Sequence, residues 1–265
     1  MDRRQFIKTL GTAGAGALIL PGFTTSSQTE NNVEPEYHSF VANLYADKEN
    51  ILKYMPEDDM HTVMVLTGRL LNTINQEVGG EYAKPISFEY PYQGTLEDFK
   101  FQSPKEVGTG NVNILYAPMD SLEKRMNSLS FKHIFNAFTG EKLEEDVSKT
   151  EREVLENMLR PHFINELRKT GGIYLPKVEN VIIDTSFMKR RSYDRNTAIP
   201  VLGHLTSRGI FHHIGLGQEP NRGNTMYSIA NSENLLNYYK FAIGEGINDM
   251  LNEKQMETIY QYFNK

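Results

Sequence analysis

Apolar positions along the chain fall into a few periodic stretches separated by Gly, Pro and polar runs. Phe40, Val41, Leu44, Tyr45, Ile51, Leu52 and Met55 recur at helical spacing up to Pro56, and this predicts a first helix. Pro56-Glu57-Asp58-Asp59 opens a second, with proline in the first turn and acids at the positive end of the dipole. Met60, Val63, Met64, Thr67, Leu70, Leu71, Ile74 and Val78 mark its inner face, and Gly79-Gly80 ends it. A helix is predicted from Pro118 through Leu122 and Met126 to Leu129. Another begins at Thr150, whose spacing to Glu153 is that of a capping box, and carries Val154, Leu155, Met158, Leu159, Ile164 and Leu167. Pro161 inside it predicts a kink or a break into two helices, and Gly171-Gly172 closes it. Leu235, Leu236, Tyr239, Ala242, Ile243 and Ile247 define one C-terminal helix. Asn252 and Gln255 cap the last, which carries Met256, Ile259, Tyr260 and Phe263.

Between these lie short runs with strand character: Ile86–Tyr90, Asn111–Tyr116, Val181–Phe187, Ile210–Ile214 and Thr225–Ala230. The stretches "GGEYAKPISFEY" and "GGIYLPKVENVII" share a Gly-Gly, Tyr, Pro, strand order, which repetition and chance explain equally well. No regular alternation of strand and helix is evident. The expected fold is α+β, predominantly helical with a few short strands forming a small sheet, in one domain over 37–265.

The N-terminus follows a different pattern. Arg3-Arg4, then Phe6-Ile7-Lys8, then a Gly/Ala-rich apolar run from Leu10 to Leu20 have the order of an export signal. "RRQFIK" resembles a bacterial twin-arginine signal over residues 1–23, followed by a flexible linker, 24–36, with Val33 as its only apolar residue. The resemblance implies the twin-arginine export machinery as a partner and a periplasmic location, reached in the folded state. The signal is retained as a weak anchor or removed. Its apolar run is too short for a stable transmembrane span.

The 265 residues contain no cysteine, which excludes disulfides, thiolate metal sites, iron–sulfur clusters and cysteine nucleophiles. The formal charge is −6, and the signal-like stretch holds more bases than acids, so the remainder is more acidic still. That balance disfavours nucleic-acid binding. The short basic cluster Lys189-Arg190-Arg191, with Arg195, reads as a solvated strand end.

Gly-x-Gly-x-x-Gly, phosphate-loop, His-Glu-x-x-His and Gly-x-Ser-x-Gly motifs are all missing. The densest candidate segment is "GHLTSRGIFHHIGLGQEPNRGN", Gly203 to Asn224. His204, His212 and His213 are candidate ligands for a divalent metal, with His162 and Glu166, one helical turn apart, as a second source of His/carboxylate ligands. Partly buried, backbone-satisfied histidines are the competing reading. If Ile210–Ile214 is a strand, His212 and His213 face opposite sides and only one joins His204. "HLTSRGIFHH" distantly resembles the His-x-x-Gly-x-x-x-Asp stretch of zinc D-alanyl-D-alanine carboxypeptidases. It departs from that pattern in the glycine position, lacks the Asp, and has no later histidine. Glu219, Arg222 and Asn224 are candidate binding residues in a turn-rich loop. "NYYKF", 237–241, suits a core better than a sugar platform, and Glu144-Glu145-Asp146 suits a solvated face.

Three functions follow. One is an exported accessory or binding protein with an envelope protein or polymer as partner. A second is a metal-dependent hydrolase acting on an envelope polymer through the 204–213 histidines. A third is a mainly structural envelope protein.

Overall fold

The computed structural model describes residues 37–46, 57–104, 110–129, 134–135, 137, 149–191, 197–247 and 249–265. The signal-like stretch, the linker, Ile51–Pro56, the acidic run Glu144-Glu145-Asp146 and Arg195 lie outside these, as do the side chains of Thr150 and Leu155.

The stretch predicted as a first helix starts as strand β1 (His38–Ala46). It is central in its sheet, and both its faces are covered. Phe40, Ala42, Leu44 and Ala46 enter one core, while Tyr45 packs on the other. A strand buried on both faces loses its period-two pattern, and the leftover apolar spacing imitates a helix. Helix α1 (Glu57–Gly79) is where predicted. Leu70 and Leu71 are fully buried with Val63, Met64 and Ile74, but Val78 is 38% exposed because the helix end leaves the core.

From α1 the chain enters β2 (Ile86–Glu89) and β3 (Tyr92–Gly94), which pair in succession along the same edge of β1, both parallel to it. The break between them falls at Tyr90-Pro91, where proline has no N–H to give and its carbonyl accepts from Leu44 N at 2.9 Å. β4 (Val112–Ala117) lies parallel on the other side of β1, and β6 (Asn180–Asp184) parallel beyond β4. β5 (Gly172–Leu175) closes that edge antiparallel to β6. The six-stranded mixed sheet has the order β2-β1-β4-β6-β5, with β3 on β1. The fold is α+β, as predicted.

Helices α2 (Met119–Ser128) and α3 (Lys149–Thr170) contribute to one core with Phe99 and Ile182. Pro161 lies within α3 on its exposed side, and the helix runs through it without a break. The predicted apolar stripe of α3 is only partly inward. Phe163 and Leu167 are buried, whereas Val154 and Met158 are exposed. After β6 comes the one-turn helix α4 (Phe187–Arg190). α5 (Ala198–Ile214), α6 (Ser232–Ala242) and α7 (Glu253–Phe263) join α1 in the other core. Asn252 and Gln255 form the predicted capping box.

Two strand predictions fail. Ile210–Ile214 is the last part of α5. Every residue from Ala198 to Phe211 is buried, so this helix shows no polar face and no helical stripe. Thr225–Ala230 forms turns and bends. Both Gly-Gly pairs stand at a helix end, but what comes next differs: after α1 a short turn leads to β2 at Ile86, whereas Gly172 itself already opens β5 and β6 follows as a second strand.

A row of buried amides crosses the sheet. Asn43 on β1, Asn113 on β4 and Asn180 on β6 are register partners. Asn43 Nδ2 donates to Asn113 Oδ1 at 3.0 Å, and Asn113 Nδ2 donates to Asn180 Oδ1 at 3.0 Å.

Leu70→Ala is expected to cost on the order of 2–5 kcal/mol in denaturant unfolding, and Val78→Ala less than about 0.5. Equal effects would contradict the burial difference. Asn113→Leu keeps the volume but strips a partner from both neighbours. The expected loss is about 2–4 kcal/mol, since each stranded buried group costs about 1–3; a neutral result would deny the row any part in stability.

Candidate functional site

The candidate histidines sit on α5, whose depth comes from two close approaches. A Cβ at Gly203 would lie 2.4 Å from Tyr238 Oη on α6, and one at Gly209 would lie 2.4 Å from Val181 Cγ1 on β6. At its C-terminus Gly215 takes φ +111°, a left-handed cap that glycine adopts without strain. Its N–H and that of Leu216 return to the Phe211 carbonyl at 3.1 and 2.9 Å.

His204 is fully buried, and neither ring nitrogen has a hydrogen-bond partner among the described residues. Burial, aided by the nearby Arg208 charge, pushes its pKa down to about 3, so the ring is neutral. Arg208 is 6% exposed. Its guanidinium donates to the carbonyls of Ser228 at 2.5 Å, Gly172 at 2.8 Å and, at 3.5 Å, Tyr227. His212 Nδ1–H donates to the Leu216 carbonyl at 2.8 Å, and its ring lies parallel to that of Tyr174, 6.3 Å between centroids. Burial is again the main cause holding His212 at a pKa of about 4, with Arg208 adding to it. His213 points elsewhere. It hydrogen-bonds to the hydroxyls of Tyr174 at 3.3 Å and Tyr262 at 3.2 Å and meets the edge of Phe40.

His162 and Glu166 lie on α3, which packs on the opposite side of the sheet from α5; His162 is exposed and Glu166 half-buried. The fold therefore does not bring the five candidate ligands together. Among the described residues no group of three or more His, Asp or Glu side chains is placed to hold a metal ion.

The loop candidates serve the fold. Asn224 is buried, donates from Nδ2 to Gln255 Oε1 at 2.8 Å and accepts from Met226 N at 2.8 Å. Glu219 Oε2 accepts from Asn252 Nδ2 at 3.1 Å. Arg222 is exposed, and its carbonyl accepts from Asn231 Nδ2 at 3.0 Å. Beside this loop a polar hollow of about 240 Å³ is lined by Gln218, Glu219, Asn252, Lys254, Gln255 and Thr258. A groove of about 430 Å³ between α1 and α7 sets Val78, Met256 and Tyr260 among Glu77, Glu253 and Glu257. In "NYYKF", Tyr238 and Phe241 are core residues.

Sequence reasoning overlooked Asp184 at the carboxyl end of β6. It is fully buried; Oδ1 accepts from Ser186 N at 2.9 Å and Oγ at 2.6 Å, and Oδ2 pairs with Arg190. Burial raises its pKa against those bonds and the Arg190 charge. Met119 N donates to Ser186 Oγ at 3.2 Å, so the group knits the ends of β4 and β6 together. The usable signal was an acid directly after the apolar run Val181-Ile182-Ile183. Within the basic cluster Arg190 is thus partnered, and Arg190 and Arg191 both lie over the Phe187 ring.

No known protein family and no curated protein matches the chain. Among solved structures it is similar to a zinc-dependent peptidase from Methanocorpusculum labreanum, at 13% identity and a TM-score of 0.33, covering 82% of this chain and 99% of that one. A likeness at that level transfers neither fold nor activity.

The buried histidines make stability depend on pH. In the unfolded chain both titrate near ~6.5, whereas the folded values are lower, so the unfolded state binds more protons below ~6.5 and stability falls as pH drops. For His204 the loss runs from there toward its folded value of about 3, at up to about 1.4 kcal/mol per pH unit. Denaturant unfolding of His204→Leu between pH 6 and 5 should show a clearly shallower pH slope than wild type; an identical slope would mean that the ring is protonated in the folded protein.

Proposed function

We propose that this chain is an exported, non-catalytic protein of the bacterial envelope that acts by binding a partner. The observation that carries the reading is the fate of the histidines. His204 is enclosed without a partner among the described residues, His212 is fixed by the Leu216 carbonyl beside Tyr174, and His213 bridges two tyrosines. His162 and Glu166 belong to the other side of the sheet. A hydrolase built on this set would need these groups at one point, and the fold keeps them apart. The acidic, partly apolar groove between α1 and α7 suits a partner that presents apolar and basic groups. Export rests on the likeness of Arg3-Arg4 and the following apolar run to a twin-arginine signal.

One experiment addresses both halves. Wild type and the double variant Arg3→Lys/Arg4→Lys are expressed in a bacterium, fractionated, and the purified protein is measured for metal. Wild type is expected in the periplasm, with less than about one metal per ten chains, because a site with real affinity stays filled through export of folded protein. The double variant is expected to stay in the cytoplasm. Normal export of the variant would sink the export route, and stoichiometric metal in wild type would sink the non-catalytic reading.

A further inference from the structure

Arg208, His212, Gly215 and Gln218 stand at i, i+4, i+7 and i+10. This is the spacing of the extended zinc-peptidase pattern His-Glu-x-x-His-x-x-Gly-x-x-His with its later methionine turn. In that pattern two ligands lie one turn apart on a helix, and the third comes from the chain beyond the glycine. Here the first ligand position holds Arg208 and the general-base position Gly209. His212 occupies the second ligand position, Gly215 the glycine and Gln218 the third ligand position. Met226 follows, fully buried.

The geometry matches that frame in three ways. α5 ends at Gly215 in a left-handed cap, and the chain folds back so that Glu219 N donates to the Met226 carbonyl at 3.2 Å. The His212 Nδ1–H bond to the Leu216 carbonyl is the arrangement in which a backbone oxygen fixes the tautomer and leaves Nε2 as the electron-pair donor, as in metal-bound histidines. Arg208, one turn before His212, reaches the turn just after Met226 and the first residue of β5. A guanidinium carries a permanent charge and has no lone pair to offer, so it repels a divalent ion from the place it fills.

We infer that the end of α5 and the turn after it form the frame of a three-ligand metal site in which the Arg208 guanidinium has taken the position of the first ligand. This rests on the non-catalytic reading and gives its cause. The general base is closed off separately: a Cβ at Gly209 would strike Val181, so a glutamate there requires β6 and α5 to move apart.

The test is to place histidine at both substituted ligand positions. Arg208→His/Gln218→His, with His212 retained, is titrated with Zn²⁺ by calorimetry and with Co²⁺ by visible absorption. One zinc per chain is expected, bound at least about 100-fold more tightly than by wild type, with the Co²⁺ bands of a site carrying few ligands. Adding His212→Ala should abolish binding, and peptidase activity should stay absent because Gly209 remains. A folded double variant that takes up no zinc overturns the frame. Should that variant fail to fold, Arg208→Gln/Gln218→His keeps a neutral donor for the carbonyls and presents two imidazoles. It is then expected to bind Cu²⁺ through His212, and its failure to do so likewise overturns the frame. Zinc held by wild type and kept in His212→Ala would overturn the non-catalytic reading alone, since it would sit elsewhere.

Discussion

The amide row Asn43–Asn113–Asn180 constrains everything built on this sheet. β1, β4 and β6 are parallel and covered on both faces, so hydrophobic matching alone tolerates a slip of two residues in any of them. The amides do not. Each is buried, and a slip strands a donor on one strand and an acceptor on the next, each costing about 1–3 kcal/mol. The row also gathers the surrounding chain. Gln93 on β3 donates to Asn43 Oδ1, while the carbonyls of Gln102 and Lys100 accept from Asn113 and Asn180. One polar line thus sets the register of three strands and seats the loop that crosses their ends.

Its influence passes through the sheet. Asn180 faces the α2–α3 side, so the next residue, Val181, faces the α5 side. It is Val181 that meets Gly209, and the missing Cβ lets the helix backbone come down onto the strand. The amide register on one face therefore decides how α5 lies on the other, and so where Arg208 and His212 stand. A buried guanidinium with no carboxylate partner among the described residues is costly. Here the carbonyls of Gly172, Tyr227 and Ser228 meet its N–H groups, and its pKa still falls to about 10 from burial. Arg208 in turn ties the edge strand β5 to the turn beyond Met226.

The parts of this arrangement that were legible in the sequence are those half-exposed to water. α1 and α7 show one apolar face and carry capping residues in sequence, and both lie where the sequence places them, as does the half-exposed β2; β4, buried throughout, is the exception, marked by its short β-branched and aromatic run between Gly110 and Pro118. The misread parts are those buried all round. β1 looked helical because its residues are apolar toward both cores, and the end of α5 looked like a strand because Ile210-Phe211-His212-His213-Ile214 lacks any polar side. The candidate site failed for a related reason. Reading 210–214 as a strand put His212 and His213 in opposition and left Arg208 without meaning. The amide row was equally invisible, since single asparagines in three strands say nothing until the strands are paired.

On a helix the same residues line up differently. His204, Arg208 and His212 follow one another at single-turn steps on one side of α5, while His213 turns away to the tyrosines. The row is a fixed cation between two imidazoles, and the Arg208 charge acts on both, depressing each pKa beyond what burial does alone. Both rings then stay neutral through the ordinary pH range. The local field at this row is therefore positive, set by Arg208. In the inferred frame the charge and the missing lone pair sit on one side chain, so replacing Arg208 by a neutral donor changes both at once.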